Sequence, residues 1–150
     1  MSPFSECSLP QGGRAVLLSI KPRYSELIVT GTKRVEFRRT WAIEPVRWVA
    51  LYSSSPAQQI VGIVEVDSVV VASPVTLWQL NATLGGGLTR AELRSYFEGK
   101  REGYALLLGQ TWIPPSPIEP SKIVPAFRAP QSFRYLTESE MKQLTRRIKR

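Results

Sequence analysis

The stretch LSIKPRYSELIVTGTKRVEFRR, residues 18–39, sets how the N-terminal part of the chain folds. It begins within an apolar run of β character, residues 15–20, which ends just before Pro22. Proline is favoured at the first position of a helix, and apolar side chains then recur at helical spacing as far as Gly31. The pattern predicts a strand, a short helix over residues 22–30 and a glycine turn.

The second strand of this stretch, residues 33–39, alternates apolar and charged side chains as a half-buried strand does. By this alternation Glu36 and Arg38 share one face, and Lys33 in the turn can swing to the same side. A carboxylate between cations stays ionised and oriented, while the cations offer a site for a phosphate or the edge of a base. On composition alone the motif is more typical of a solvated strand face with cross-strand ion pairs.

The rest of the chain alternates short strands with short helices. Ser73-Pro74 has the pattern of a helix start, and Thr89 with Glu92 forms a predicted capping box. The proline-rich residues 110–125 are predicted to be a loop with one short extended piece. The other predictions are strands at 47–52, 60–71 and 104–108, an extended segment at 127–135, and helices at 75–80, 89–97 and from Thr137 onward. This tally favours an α+β fold, a curved, barrel-like mixed sheet with short peripheral helices.

Composition excludes several kinds of chemistry. The chain has 20 Lys and Arg against 12 Asp and Glu, a net charge of +8, which favours polyanionic partners. It has no histidine and one cysteine, Cys7, which excludes histidine triads, histidine or cysteine-cluster metal sites and an internal disulfide. No apolar run approaches the roughly 20 residues that a membrane span needs. We therefore expect a basic, cytoplasmic protein with no cofactor, no metal and no membrane partner.

Several segments together resemble a known family. Leu18-Ser19-Ile20-Lys21-Pro22 and then Gly31-x-Lys33-x-x-Glu36-x-Arg38-Arg39 resemble the N-terminal signature of ASCH domains, part of the PUA-like superfamily, in a Glu-x-Arg version. The same pattern continues in Tyr52-Ser53, Gly62-x-x-x-Val66, Ser73-Pro74 with Trp78, Tyr96-x-x-Gly99, Tyr104-Ala105 and Ala129-Pro130-Gln131-Ser132-Phe133. We accordingly divide the chain into a flexible leader (1–13), an ASCH domain (14–136) and a basic C-terminal helix (137–150).

The resemblance implies a PUA-like curved sheet with a cleft between it and the first helix, used to bind RNA or a modified nucleobase. By this resemblance the cleft is expected to hold Lys21, Lys33, Glu36 and Arg38. Further base-binding candidates are Arg39, Tyr52 and Ser53 near the wall, and Gln131, Ser132 and Phe133. Tyr52, Phe133 or Trp41 could stack on a base, an interaction worth roughly 1–3 kcal/mol. The partner is then RNA or a modified nucleoside, with DNA as an open possibility, and the role lies in RNA metabolism or regulation.

The basic end of the last helix offers a second set of contacts. Arg146, Arg147, Lys149 and Arg150 can add salt-dependent affinity for backbone phosphates. Cations at a helix C-terminus also complement the helix dipole, so both interpretations remain open.

Hydrolysis is the alternative function. Some ASCH-like proteins deacylate N(4)-acetylcytidine with a lysine, a threonine and a glutamate; the lysine aligns with Lys33, but Glu36 replaces the threonine and residues 83–87 contain no carboxylate. Another branch is described as metal-dependent ribonucleases, for which only Glu36, Glu65 and Asp67 are candidate ligands. A hydrolase using Lys33 and Glu36 stays possible. Because Glu36 between cations is a weak base, we expect recognition rather than catalysis.

Overall fold

The computed structural model describes residues 14–148, and within them six strands and four α-helices follow one another. In chain order they are β1 (Arg14–Ile20), α1 (Pro22–Val29), β2 (Val35–Arg38), β3 (Val46–Ser53), β4 (Gln59–Ala72), α2 (Pro74–Thr83), α3 (Arg90–Tyr96), β5 (Gly103–Trp112), β6 (Phe133–Tyr135) and α4 (Glu138–Ile148). None of these helices is long and apolar enough to cross a membrane. The predicted leader, residues 1–13, lies outside the described residues.

The strands form one curled, mixed sheet in the order β2-β5-β4-β3-β1-β6. Only the β1–β3 pair is parallel, and every other neighbouring pair is antiparallel. The 14 residues of β4 pair with both β3 and β5, and the register shifts along both pairings, as at bulges that bend a sheet. The predicted α+β fold, a curved mixed sheet with short peripheral helices, is confirmed.

Both faces of the sheet are covered, so β1 is buried on both sides. Ala15 and Leu17 belong to a core on one face, closed by α4 and by the segment before β6. Val16 and Leu18 belong to a second core on the other face, beneath α1. A third core packs α2 and α3 against β2 and β5. The candidate site described below lies on the α1 side, at the β2 edge.

Three segments differ from the sequence-based expectation. Strand β2 begins later than predicted because the backbone amides of Lys33 and Arg34 donate to the carbonyl oxygens of Leu27 in α1 and Leu84 at the end of α2, not to a neighbouring strand. The proline-rich loop begins later than predicted, since β5 continues to Trp112. Its extended piece is a bridge between Ile118 and Ile60, followed by a 3-10 helix at Pro120–Lys122, and only Phe133–Tyr135 of the predicted extended segment is a strand.

Truncating Leu144 in α4 should destabilise the whole domain. The side chain is 0% exposed between α4 and the sheet, so Leu144→Ala leaves a cavity that costs about 2–5 kcal/mol in the free energy of unfolding. Urea denaturation measures this loss. The control Lys142→Ala, an exposed position on the same helix, should change stability by less than about 0.5 kcal/mol. A Leu144→Ala variant as stable as the control would contradict the packing of α4 on this core.

Candidate functional site

A cavity of about 820 Å³ opens at the β2 edge of the sheet. Its walls are the end of β1 and the start of α1, strand β2, helix α3 and the segment before β6. The polar lining residues are Ser19, Lys21, Glu36, Arg38, Ser54, Glu92, Ser95 and Gln131. The apolar and aromatic ones are Ile20, Tyr24, Phe37, Leu88, Ala91, Tyr96, Ala129 and Pro130. The volume lies within the range of about 300–1,000 Å³ that is usual for small-ligand pockets.

A row of three charges runs along β2 into this cavity. The Oε1 atom of Glu36 lies 3.4 Å from Nζ of Lys33, and its Oε2 atom lies 3.3 Å from Nη1 of Arg38. Glu36 is 7% exposed, and its carboxylate is the buried anion between two cations. Alternation in β2 places Glu36 and Arg38 on one face, while Lys33 approaches from the preceding turn.

Lys33 stands behind the cavity and does not line it. Its side chain is 0% exposed, with Nζ 5.0 Å from the ring centre of Tyr24 and 5.5 Å from that of Phe37. The ammonium also donates a hydrogen bond to the carbonyl oxygen of Gly86 in the α2–α3 linker. Burial lowers the pKa of Lys33, and the neighbouring Glu36 carboxylate opposes that effect.

The linker can approach Lys33 because Gly86 has no side chain. A Cβ atom there would lie 2.2 Å from Oδ1 of Asn81 and 2.9 Å from the ring of Phe37. The Asn81 side chain in turn holds the linker by accepting from the amide of Leu88 and donating to its carbonyl oxygen. A glycine at this position therefore lets the linker supply a carbonyl oxygen to the buried lysine.

The opposite wall is a strap, residues 129–132, fixed at three points. Nη2 of Arg38 donates to Oγ of Ser132 at 2.7 Å. The Oγ atom of Ser19 donates to the carbonyl oxygen of Pro130 at 2.7 Å, and the Ser19 amide donates to the carbonyl oxygen of Ser132 at 2.9 Å. Arg38 thus connects β2 to the strap across the cavity floor.

Helix α3 forms a wall that the sequence analysis did not predict. It begins with the predicted capping box, in which Thr89 and Glu92 bond each other's backbone amides. Ala91 and Ser95 face the cavity at a spacing of four residues, and Leu93 is buried on the other side. No local pattern in the sequence marks this face, because the charged Glu92 also lines the cavity beside Ala91 and Ser95. The hydroxyl of Tyr96 donates to the carbonyl oxygen of Phe37 at 3.2 Å, and burial raises the pKa of Tyr96.

The structure brings together about half of the predicted site residues. Lys21, Glu36, Arg38 and Gln131 line the cavity, and Ser132 is bonded to Arg38. Lys33 does not line the cavity, but its buried ammonium contacts the Glu36 carboxylate.

The other predicted residues lie elsewhere. Tyr52 points to the opposite face of the sheet, where its ring centre is 5.1 Å from that of Phe127. Ser53 is buried and accepts a hydrogen bond from Ser25, and Phe133 packs on Trp41 at 5.0 Å. Arg39 points away from the cavity and donates from Nη1 to the carbonyl oxygens of Tyr96 and Glu98.

The basic C-terminal residues are also separate from the cavity. Arg146 and Arg147 lie on α4, which covers the face of the sheet opposite α1, and Nη1 of Arg147 donates back to the carbonyl oxygen of Gln143. Lys149 and Arg150 lie outside the described residues.

The carboxylates proposed as metal ligands are not gathered. Glu65 forms an ion pair with Arg47 at 3.2 Å, and neither Glu65 nor Asp67 lines the cavity that contains Glu36. Between residues 14 and 148 there is no group of three or more Asp, Glu, His or Cys that could hold a metal ion.

Comparison with known proteins gives consistent results for family and fold. The sequence model of the ASCH domain matches residues 18–114. A protein of Zymomonas mobilis named ASCH domain-containing ribonuclease is 29% identical over 136 residues, which are 87% of this chain and 90% of that protein. The crystal structure of ASCH from Zymomonas mobilis superposes with a TM-score of 0.79 and 27% identity, covering 89% of this chain and 94% of that one. The large ribosomal subunit protein uL22 of Ureaplasma parvum is 25% identical over 122 residues, but the match spans only 39% of that protein.

Replacing Lys33 should remove a pH dependence of stability. Burial lowers the pKa of Lys33 in the folded protein below the ordinary value of 10.5 that applies to the unfolded chain. At a pH between these two pKa values, the unfolded chain binds more protons than the folded one. The free energy of unfolding of the wild type should therefore rise as pH is raised through that window, and Lys33→Met should flatten the rise. Urea denaturation at a series of pH values measures both slopes.

The series should stop below pH 10.0. Above that pH the ionisation of Tyr24, Tyr52 and Tyr96, whose pKa values are raised in the folded protein, lowers the free energy of unfolding. Lys122→Met, at an exposed position, is the matched control and should keep the slope of the wild type. Equal slopes in the wild type and Lys33→Met would show that Lys33 is not the group responsible.

Proposed function

The chain belongs to the ASCH domain family, and we propose that its cavity binds single-stranded RNA by taking up one nucleobase. The observation that carries this proposal is the fixed pair of Glu36 and Arg38 in the wall of a cavity large enough to admit a nucleoside. Support also comes from the Zymomonas mobilis relative, whose name describes a protein that acts on RNA. A free or modified nucleoside presents the same base edge and is the simplest ligand of this site.

The charged pair can read the edge of a base. Each carboxylate oxygen of Glu36 contacts one cation and keeps a free lone pair, which can accept from an exocyclic amine or a ring N–H. Arg38 uses one N–H toward Glu36 and one toward Ser132, so three of its five N–H donors are left for carbonyl or ring nitrogen acceptors. Acceptors and donors side by side are what recognition of an unpaired base requires.

Aromatic and polar groups complete the arrangement. The ring of Tyr24 already contacts two cations, Arg23 at 4.6 Å and Lys33 at 5.0 Å, whereas the ring of Tyr96 meets Phe97 edge to face with centroids 4.8 Å apart. Tyr96 is therefore the better surface for base stacking. Stacking on such a ring is worth about 1–3 kcal/mol per base. Lys21 and Gln131 contribute a cation and an amide that can contact sugar or phosphate.

Neutralising Glu36 should weaken binding. Hydrogen bonds to a charged group contribute about 1.5–3 kcal/mol, so Glu36→Gln should reduce the affinity for a short single-stranded oligoribonucleotide by about 10- to 100-fold. Isothermal titration calorimetry measures the change. Glu119→Gln removes the same charge from an exposed position outside the cavity and should bind as the wild type does. Unchanged affinity of Glu36→Gln would refute the proposed base contact.

Ribonuclease activity is the second candidate function, favoured by the name and the extensive coverage of the Zymomonas mobilis relative. Cleavage needs a group that takes a proton from the attacking hydroxyl. Each carboxylate oxygen of Glu36 is already engaged in an ion pair, with Lys33 or Arg38, and would have to give up part of that pairing to accept a proton, which favours binding over turnover. A hydrolase that acts on acylated nucleosides through Lys33 and Glu36 meets the same obstacle.

Incubation of the wild type with end-labelled RNA should therefore give a complex without product. Gel analysis of the RNA over time, with and without added divalent cations, provides the measurement, and acylated nucleosides can be followed by chromatography. If the wild type forms product and neither Glu36→Gln nor Lys33→Ala does, the function is hydrolysis and not binding alone. Product that persists in both variants would indicate contamination.

A further inference from the structure

A second hollow, distinct from the cavity, lies at the far end of β2 and is basic. Its volume is about 380 Å³, and its lining includes the cations Arg39, Lys100 and Arg101 together with Glu102 and Tyr104. We propose that this basic hollow binds a backbone phosphate of the RNA strand whose base occupies the cavity. The inference rests on the proposed function and extends it from one base to the path of the strand.

The two sites are neighbours through two residues. Arg38 lines the cavity and Arg39, the next residue, lines the basic hollow. The ring of Tyr96 lines the cavity, while its carbonyl oxygen accepts from Nη1 of Arg39 at 2.7 Å. A strand with a base against Tyr96 therefore has its flanking backbone close to the basic hollow.

The local sequence builds the basic hollow at the end of α3. Gly99 has a φ of +82°, a left-handed conformation that lets the chain reverse after the helix. The amide of Lys100 then donates to the carbonyl oxygen of Phe97 at 2.9 Å, which sets Lys100 and Arg101 beside Arg39. Both hydrogens of Arg39 Nη1 are used on the carbonyl oxygens of Tyr96 and Glu98. Its three remaining N–H donors are available for a phosphate, which arginine binds in a bidentate fashion.

The charge balance of the basic hollow favours an anion. Within residues 14–148, none of Arg39, Lys100 and Arg101 has a carboxylate partner within 4.0 Å. Glu102 is the single acidic residue of the lining, which leaves an excess of cations. Capping of α3 accounts for the position of Arg39 but not for Lys100 and Arg101. A phosphate would relieve the repulsion among the three cations.

The test compares ligands with and without a backbone. The double variant Lys100→Gln/Arg101→Gln removes two exposed or half-exposed charges from the basic hollow. Arg34→Gln/Lys122→Gln removes the same residue types from exposed positions outside both sites and serves as the control. Each protein is titrated with common ribonucleosides and with a short mixed-sequence oligoribonucleotide at several salt concentrations.

We expect the double variant to bind nucleosides like the wild type and the oligoribonucleotide about tenfold more weakly. Its salt dependence should become shallower by about 0.7 in log–log slope for each phosphate that the protein no longer neutralises, and the control should show neither change. Oligoribonucleotide affinity and slope equal to those of the control would overturn the inference while leaving the proposed function intact. If the double variant binds the oligoribonucleotide more weakly but Glu36→Gln binds it as tightly as the wild type, both the base contact of Glu36 and the proposed path of the strand are wrong.

Discussion

The buried row of Lys33, Glu36 and Arg38 is the constraint on which the site depends. A lysine with a 0% exposed side chain loses its hydration, so it requires an anion and further hydrogen-bond acceptors nearby. Glu36 supplies the anion and the carbonyl oxygen of Gly86 supplies an acceptor. Removing one partner of such a buried pair typically costs about 3–5 kcal/mol, because the other charge is left uncompensated. The row is thus a structural element that also carries the chemistry of the cavity.

The same row joins three parts of the chain that are distant in sequence. Lys33 holds the α2–α3 linker through Gly86, and Arg38 holds the strap through Ser132. Glu36, on the edge strand β2, connects the two cations. On its outer edge β2 has no strand neighbour among the described residues, and the carbonyl oxygen of Phe37 accepts from the hydroxyl of Tyr96. The cavity is what remains between the linker, the strap and α1.

Local patterns in the sequence predicted the strands and helices, whereas the cleft was predicted from the resemblance to ASCH domains. Alternation in β2 placed Glu36 and Arg38 on one face, and both do line the cavity. Tyr52 and Ser53 could not be assigned in the same way, since neighbouring strand residues point to opposite faces. Which of the two faces the cavity depends on the covering elements, and α4 covers the face of Tyr52. The α3 wall, and the hydrogen bonds that hold the strap against β1 and β2, arise from contacts between segments distant in sequence, which no local pattern encodes.

The sheet order has a consequence for how the protein is made in the cell. The first described strand, β1, lies between β3 and the last strand, β6, and its Ala15 and Leu17 are sealed by α4. Until a ribosome has extruded residues 133–148, this very apolar N-terminal strand lacks one hydrogen-bonding neighbour and the cover of one face. Nascent chains with such exposed segments are prone to aggregate. Folding of this domain is therefore completed only after residues 133–148 have emerged, and chaperones that shield apolar nascent segments should matter most for β1.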